Sequence, residues 1–136
     1  MVEVTATYEG NLRCRAVHGP SGSILLTDAP KDNHGKGEAF SPTDLVAAAL
    51  PCCVMTIIGI VAQRHGLAVE GMTAVTHKEM ATEGLRRIRS LRTVVTVPLP
   101  AAHPQRELLE NAARTCPVHK SLGADVDAPI EFVWKG

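Results

Sequence analysis

The segment Phe40-Ser-Pro-Thr-Asp-Leu-Val-Ala-Ala-Ala-Leu-Pro-Cys-Cys53 decides the fold of this chain, because it begins the longest predicted helix. Ser41 is a suitable cap, Pro42 fits the first helical position, and Asp44 completes a capping box. The predicted helix runs to about His65, and Gly66, a residue type that commonly ends helices, stops it. The sequence therefore predicts one long helix near the middle of the chain.

The middle of this helix raises the question of a membrane span. Residues 45–62 read LVAAALPCCVMTIIGIVA, eighteen residues without a charge, and this length is the lower limit for a transmembrane helix. Pro51, Thr56 and Gly59 interrupt the segment, and no basic cluster flanks it closely. We therefore interpret it as a helix buried on all sides in a soluble core, and we predict no contact with a membrane.

Three strands are predicted before the helix. Apolar and polar residues alternate over residues 1–8, which is typical of a half-buried strand. A turn at Gly10 leads to a second strand over residues 12–17, and the two strands form a predicted hairpin. A third strand follows at residues 23–27, and residues 28–40 are predicted to form a long loop.

After the first helix, the sequence predicts two strands, a second helix and a final strand. The strands cover residues 72–78, 85–97 and 130–134, and the helix covers residues 104–116. The element order is therefore βββαββαβ, and runs of strands around two helices indicate the α+β class. The length of the chain suits a single domain over residues 1–136.

The second helix has two features that bear on its packing. Leu108, Ala112 and Thr115 are spaced to share one side of the helix, which we predict to be the buried side. Pro117 disfavours helical geometry at Cys116, so the helix is expected to kink or restart at that point.

The charge balance excludes nucleic-acid binding as a general function. Lys plus Arg and Asp plus Glu both number 14, so the formal net charge is zero, and aromatic residues make up 3% of the chain. A nucleic-acid binder carries a basic excess and stacking aromatics, so we predict no nucleic-acid partner. The arginines of the strand over residues 85–97 are therefore interpreted as a solvated face or edge. They are Arg86, Arg87, Arg89 and Arg92.

The first ten residues, MVEVTATYEG, have neither the basic nor the apolar region of a signal peptide. We therefore expect a cytoplasmic protein. In that compartment cysteines are kept reduced. The chain has four of them, Cys14, Cys52, Cys53 and Cys116.

Two of these cysteines stand in unusual positions, Cys53 inside the apolar helix and Cys116 directly before Pro117. The simplest interpretation is packing, since a free cysteine behaves as a small hydrophobe. A redox pair is the alternative, because two helices that meet through small residues can bring two sulfurs within disulfide reach. A zinc site that includes Cys116 and His119 is a further alternative, as are two structural disulfides. Spacing alone leaves these interpretations open.

The segments FSPTDLVAAALPCC (residues 40–53) and CPVHKSL (residues 116–122) resemble the two helix motifs of the OsmC/Ohr family of thiol-dependent hydroperoxide reductases. The resemblance spans essentially the whole chain, because the order of strands and helices also fits. It implies an OsmC-like fold with two central helices packed on antiparallel sheets. It also implies an intertwined homodimer with both active sites at the subunit interface.

The resemblance also implies a reaction. The family's reactive cysteine lies eleven residues after the motif proline, which selects Cys53 over Cys52, and the second cysteine of the family falls on Cys116. The implied activity is a cysteine-based peroxidase that acts against oxidative stress. It reduces organic hydroperoxides through a Cys53 sulfenic acid and a Cys53–Cys116 disulfide, which an external dithiol then reduces. No metal, haem or flavin is required. The alternative is a non-catalytic dimer that binds an apolar ligand or acts as a redox sensor.

This sequence departs from the family at the activating residues. In the best-studied branches, a glutamate follows the motif proline and pairs with a substrate-polarising arginine, whereas this chain has Thr43 there. Asp44 comes one residue later and is turned by about 100° around the helix, so we predict that it caps the helix instead. Arg13 and Arg15, on the second predicted strand, are the candidates for the activating cation.

Overall fold

The computed structural model describes residues 1–136 as two compact units, residues 1–46 and residues 47–136. Its elements follow each other as three strands, a helix, two strands, two short helices and a final strand. The predicted α+β class and element order are therefore confirmed, with the second predicted helix split in two. The single domain over residues 1–136 stays a prediction.

The first unit contains a three-stranded antiparallel sheet. Its strands are β1 (Val4–Gly10), β2 (Arg13–His18) and β3 (Ile24–Asp28), side by side in chain order. β1 is exposed along nearly its whole length, so the predicted half-burial of this strand is wrong for the single chain. Alternation in sequence shows that one face of a strand is suited to burial, but it does not show that the same chain covers that face.

A tight turn joins β1 to β2. Asn11 and Leu12 have positive φ angles of 53° and 62°, the pattern of a two-residue type I′ hairpin loop. Asparagine tolerates this region of backbone space, whereas leucine is strained there. The strained residue directly precedes Arg13, the first residue of β2.

Helix α1 covers Pro42–Arg64, as predicted. The predicted capping box is present, because the Asp44 amide donates to the Ser41 hydroxyl (3.1 Å) and the Ser41 amide donates to the Asp44 carboxylate (2.9 Å). Gly66, just beyond the helix, has a φ of 65°, a conformation that suits glycine. Short-range signals in the sequence therefore located both ends of this helix.

One stripe of α1 is fully buried, and it recurs every fourth residue: Leu50, Val54, Ile58 and Ala62. Cys52, Thr56 and Ile60 lie on the other side and are exposed. The prediction of burial on all sides is therefore wrong for the single chain, which supplies packing partners for one side only. By length and composition α1 could also cross a membrane, so the absence of membrane contact stays a prediction.

The second unit contains the second sheet, in the order β4 (Thr73–Met80), β5 (Ile88–Val97) and β6 (Ile130–Trp134). β4 and β5 are antiparallel, whereas β6 lies parallel to β5. The expectation of antiparallel sheets is therefore wrong for this edge. The physical reason is the long connection over residues 98–129, which contains helical segments and allows a parallel crossover.

The connection contains α2 (Arg106–Ala113) and α3 (Pro117–Ser121), so the predicted restart at Cys116 is confirmed. α2 buries Leu109 and Ala113, not the predicted side of Leu108, Ala112 and Thr115. The true stripe continues with Cys116 at helical spacing, so it was present in the sequence. The core of this unit combines that stripe with the α1 stripe and with the buried side of β5. The β5 residues are Leu91, Thr93, Val95 and Val97.

The arginines beside β5 form ion pairs at the surface. Arg87 pairs with Asp125 at 3.5 Å, Arg89 pairs with Glu79, and Arg92 pairs with Glu131. The side chains of all three arginines are between 43% and 61% exposed. The interpretation of this cluster as a solvated face is therefore confirmed.

Candidate active site

Helix α1 gives its two adjacent cysteines different surroundings. Each residue of an α-helix is turned by about 100° from the one before it. Cys53 precedes the buried Val54 and is itself half-buried, whereas Cys52 is exposed. Cys53 is therefore the α1 thiol that borders the core of the second unit.

Cys116 lies at the junction between α2 and α3 and is fully buried. Its φ and ψ of −50° and 125° are non-helical, and it is the N-cap of α3. The backbone amide of His119 donates to its sulfur at 3.5 Å. The His119 ring anchors the same turn, since its Nε2 lies 2.8 Å from the carbonyl oxygen of Ala128.

The Cys116 thiol lies close enough to Cys53 for that side chain to affect its ionisation. Burial is the main cause that raises the pKa of Cys116, and the hydrogen bond with Cys53 raises it further. The backbone amides of His119 and Val118 oppose this effect only in part. Cys116 is therefore held as a neutral thiol that faces Cys53.

This arrangement is asymmetric in a way that suits two-step thiol chemistry. One thiol is partly accessible, and the other is buried, protonated and close enough for the first to affect its ionisation. All four cysteines of the chain are free, and no group of three or more His, Cys, Asp or Glu side chains is placed to hold a metal ion. The disulfide between Cys53 and Cys116 and the catalytic roles of the two residues stay predictions.

The first unit contains a separate charged cluster. Arg13 lies 3.3 Å from both the Asp28 carboxylate and the Glu38 carboxylate, and the Glu38 amide donates to Asp28 at 3.0 Å. That backbone hydrogen bond is the main cause that lowers the pKa of the buried Asp28, and Arg13 lowers it further against the effect of burial. The hydrogen bond to Asp28 is the main cause that raises the pKa of Arg13.

Sequence reasoning singled out Arg13 and missed both of its partners. The available signal was the pair of acids that bracket the loop over residues 28–40, since a compact loop brings its two ends together. The structure closes this loop with a hydrogen bond from the Asp28 amide to the Phe40 carbonyl (3.1 Å). Arg15, the other candidate, is half-buried in the middle of β2.

The residues at the start of α1 serve the helix cap. The predicted capping role of Asp44 is confirmed by its hydrogen bond with Ser41. The Thr43 hydroxyl lies 3.2 Å from the Ser41 hydroxyl. The position that carries a glutamate in the best-studied branches therefore offers a neutral hydroxyl here.

Comparison with protein families gives one match over most of the chain. The family described as OsmC-like protein matches residues 35–131. No protein with a curated description matches the chain.

Several solved structures share the fold. A structure from Psychrobacter arcticus 273-4, described provisionally as an osmotic stress induced and detoxification response protein, is 40% identical. The match covers 97% of this chain and 96% of that chain, with a TM-score of 0.90. The organic hydroperoxide resistance protein OsmC of Legionella pneumophila is 18% identical, with coverages of 98% and 96% and a TM-score of 0.75.

A third structure comes from Vibrio cholerae O1 and is named provisionally as an organic hydroperoxide resistance protein. It holds captopril in one of its active sites. It is 19% identical, and the match covers 96% of this chain and 90% of that one, with a TM-score of 0.75. At this level of identity, the likeness to the Legionella and Vibrio proteins concerns the fold.

Proposed function

This chain belongs to the OsmC-like family, and from that premise we propose that it is a thiol-dependent peroxidase that reduces organic hydroperoxides. The observation that carries the proposal is a partly accessible Cys53 near a fully buried Cys116 whose ionisation it affects. A packing cysteine needs no second thiol beside it. A peroxidase of this type needs one, because the oxidised sulfur must be resolved to a disulfide.

In the first step, the Cys53 thiolate attacks the distal oxygen of the hydroperoxide. A sulfur–oxygen bond forms while the oxygen–oxygen bond breaks, and the leaving alkoxide takes up a proton and departs as the alcohol. The product is a sulfenic acid on Cys53. The assignment to Cys53 rests on access, since Cys116 is fully buried and its pKa is raised.

In the second step, the sulfur of Cys116 attacks the sulfenic sulfur of Cys53. The disulfide bond forms, the sulfur–oxygen bond breaks, and the hydroxyl group leaves as water with the proton of the Cys116 thiol. An external dithiol then reduces the disulfide by exchange and is itself oxidised. The electrons therefore come from sulfur throughout, and no metal, haem or flavin takes part.

The assembly we propose is an intertwined homodimer in the cytoplasm. Unit 1 leaves large apolar side chains exposed on β1 and β3, among them Val4 (61%), Tyr8 (64%) and Ile24 (54%). Exposed apolar area of this kind marks an interaction surface. In the proposed dimer, a second copy would also cover the exposed side of α1. This side of the helix then needs no membrane to cover it.

The proposed reaction also needs a group that stabilises the Cys53 thiolate. A thiolate next to the core needs a positive partner or hydrogen-bond donors, because burial disfavours its charge. Arg13 and Arg15 are the candidates for this role, and Asp28 and Glu38 already pair with Arg13. Whichever of the two acts, its replacement by alanine should slow the reaction with hydroperoxide, and the other variant is the control.

The deciding experiment measures consumption of cumene hydroperoxide by the purified protein in the presence of a dithiol. We expect turnover by the wild type and by Cys52→Ser, and none by Cys53→Ser above the rate of the dithiol alone. Cys52→Ser is the matched control, because it makes the same change one residue away. Equal rates for the wild type and Cys53→Ser would refute the peroxidase and favour a dimer that binds a ligand or senses redox state.

A further inference from the structure

The segment that carries Cys116 is attached to the sheet by a cluster that the reaction described above does not use. Resting on the proposed function, we infer that Glu110 and Trp134 are positioning residues for the resolving step, since they fasten α2 to β6 and thereby hold Cys116 within reach of Cys53. Neither side chain acts on the reacting sulfurs directly. Their role is to fix the position of Cys116.

Helix α2 needs such an attachment because little else holds it. It has eight residues, its first turn lacks a side-chain cap, and only Leu109 and Ala113 are buried. Helices of this length are not stable by themselves in water. Since α2 ends three residues before Cys116, any loosening of α2 passes directly to that sulfur.

Glu110 is the centre of the attachment. Its Oε1 accepts a hydrogen bond from the Trp134 indole (2.8 Å) and another from Arg106 Nε (3.0 Å). The Arg106 guanidinium also lies over the Trp134 ring, 5.7 Å from its centre. The Glu110 side chain is only 18% exposed, so these bonds are largely shielded from water. We call Arg106, Glu110 and Trp134 the α2–β6 clamp.

A second contact of the same kind lies closer to the sulfur. Arg114 sits over the Phe132 ring at 5.3 Å, two residues before Cys116. Both contacts are made to β6, which is part of the second sheet. Phe132 and Trp134 of this strand pair in register with the buried Val95 and Val97 of β5. The clamp therefore ties the segment before Cys116 to the core sheet.

The segment after Cys116 has its own anchor, the bond between the His119 ring and the Ala128 carbonyl. Cys116 is thus held from both sides. A disulfide forms only when the two Cα atoms lie about 4.4–6.8 Å apart, and the rate of an intramolecular step falls steeply when the reacting atoms are displaced. Loss of one anchor should let Cys116 move away from Cys53. The effective concentration of the Cys116 thiol at the Cys53 thiol should then fall.

The first test needs no peroxide. The Cys53–Cys116 disulfide is equilibrated in glutathione buffers, which yields the effective concentration of the two thiols. We expect Glu110→Ala and Trp134→Phe to lower it about tenfold, the order expected from loss of one shielded hydrogen bond to a charged group. Glu110→Gln keeps an acceptor for the Trp134 indole, so the effective concentration in this variant should stay close to the wild-type value. Glu107→Ala, an exposed acid on the same helix, is the matched control and should leave it unchanged.

The second test separates the two steps of the reaction in a single turnover. With one equivalent of cumene hydroperoxide, Glu110→Ala should form sulfenic acid on Cys53 at the wild-type rate, but form the disulfide about tenfold more slowly. Unchanged resolution together with an unchanged glutathione equilibrium would overturn the inference. If the wild type did not react with peroxide, the proposed function would fail, while the glutathione equilibrium would still decide the clamp. If Glu110→Ala did not fold, Trp134→Phe, which keeps the aromatic ring, decides alone.

Discussion

Residues 47–136 bury an apolar core built from α1, β5 and α2, whereas the buried residues of the first unit are all polar: Thr27, Asp28 and Ser41. Both candidate reactive thiols lie in the second unit. The first unit contributes exposed apolar strands and a charged cluster. The difference teaches that the apolar core and the two candidate thiols are confined to one part of the chain. The exposed apolar strands of the first unit suit an interaction surface.

The largest expected effect tests the roles of the two candidate thiols in the second unit. Cys116→Ser should accumulate a sulfenic acid on Cys53 that dimedone traps and that excess peroxide oxidises further, because the resolving thiol is gone. Cys52→Ser should form the same linked Cys53–Cys116 peptide pair as the wild type, seen by mass spectrometry. A disulfide that includes Cys52, or a sulfenic acid on Cys116 in Cys53→Ser at the wild-type rate, would contradict the assignment.

A core substitution tests the apolar packing of the second unit. Leu91 on β5 is fully buried, so Leu91→Ala should lower the free energy of unfolding by about 3 kcal/mol through lost burial and a residual cavity. Urea unfolding at fixed protein concentration measures this change. Leu85→Ala is the control, because Leu85 is 89% exposed. Similar losses for the two variants would mean that Leu91 does not lie in a packed core.

A surface substitution tests the incomplete packing of the first unit. Ile24 and Leu26 lie on the same face of β3, and their exposed fractions are 54% and 44%. If a second copy covers this face, the double variant Ile24→Lys/Leu26→Lys should shift the mass in light scattering from dimer toward monomer, because two charges would be buried. Leu85→Lys should leave the mass unchanged. A wild type that is already monomeric at micromolar concentration would refute the dimer.

Lowering the pH should destabilise the first unit through protonation of Asp28. Its pKa is lowered in the folded chain, first by the Glu38 amide and then by Arg13, so its contribution to stability is present above the unfolded pKa of about 3.9. That contribution is lost as the pH falls through the lower folded value. Asp28→Asn should therefore unfold more easily than the wild type at pH 7, and the difference should shrink below about pH 4. A difference that is constant from pH 7 to pH 2 in urea unfolding would exclude this linkage.

The smallest expected effect concerns the hairpin of the first unit. Leu12 has a φ of 62° and is 45% exposed, so Leu12→Gly relieves strain at little cost in burial. We expect a gain of about 0.5–1 kcal/mol in the free energy of unfolding, after the entropy cost of glycine is subtracted. Asn11→Gly is the matched control and should change little, because asparagine tolerates this conformation. A loss of stability in Leu12→Gly would show that the leucine side chain makes a contact in the assembly.

Much of the fold was predictable because its signals are local. The capping residues Ser41 and Asp44, the terminator Gly66 and the break at Pro117 act on neighbours within a few residues, and they lie where they were predicted. The two motifs also identified Cys53 and Cys116 as a pair, and the structure places Cys53 close enough to affect the ionisation of Cys116. Helical spacing relates Leu109 to Ala113 and Leu108 to Ala112 in the same way, so periodicity alone does not decide which side of α2 is buried.

Other features could not be predicted from the sequence because they join residues far apart in the chain. The parallel pairing of β6 with β5 depends on the path of a long crossover. The partners of Arg13 come from the two ends of a loop, and Glu110 meets Trp134 across 24 positions. Patterns over neighbouring residues do not indicate which distant residues form these contacts.

By itself, the sequence determined the order of the helices and strands, the two ends of α1, and which two cysteines are candidates for one reaction. Those properties follow from backbone preferences, side-chain spacing and motif positions. Only the tertiary structure decided that Cys116 is a buried thiol with a raised pKa, that Arg13 is shared by two carboxylates, and that β1 is uncovered in the single chain. Burial, electrostatic shifts and long-range hydrogen bonds depend on what surrounds a group in space, and the surroundings exist only once the chain has folded.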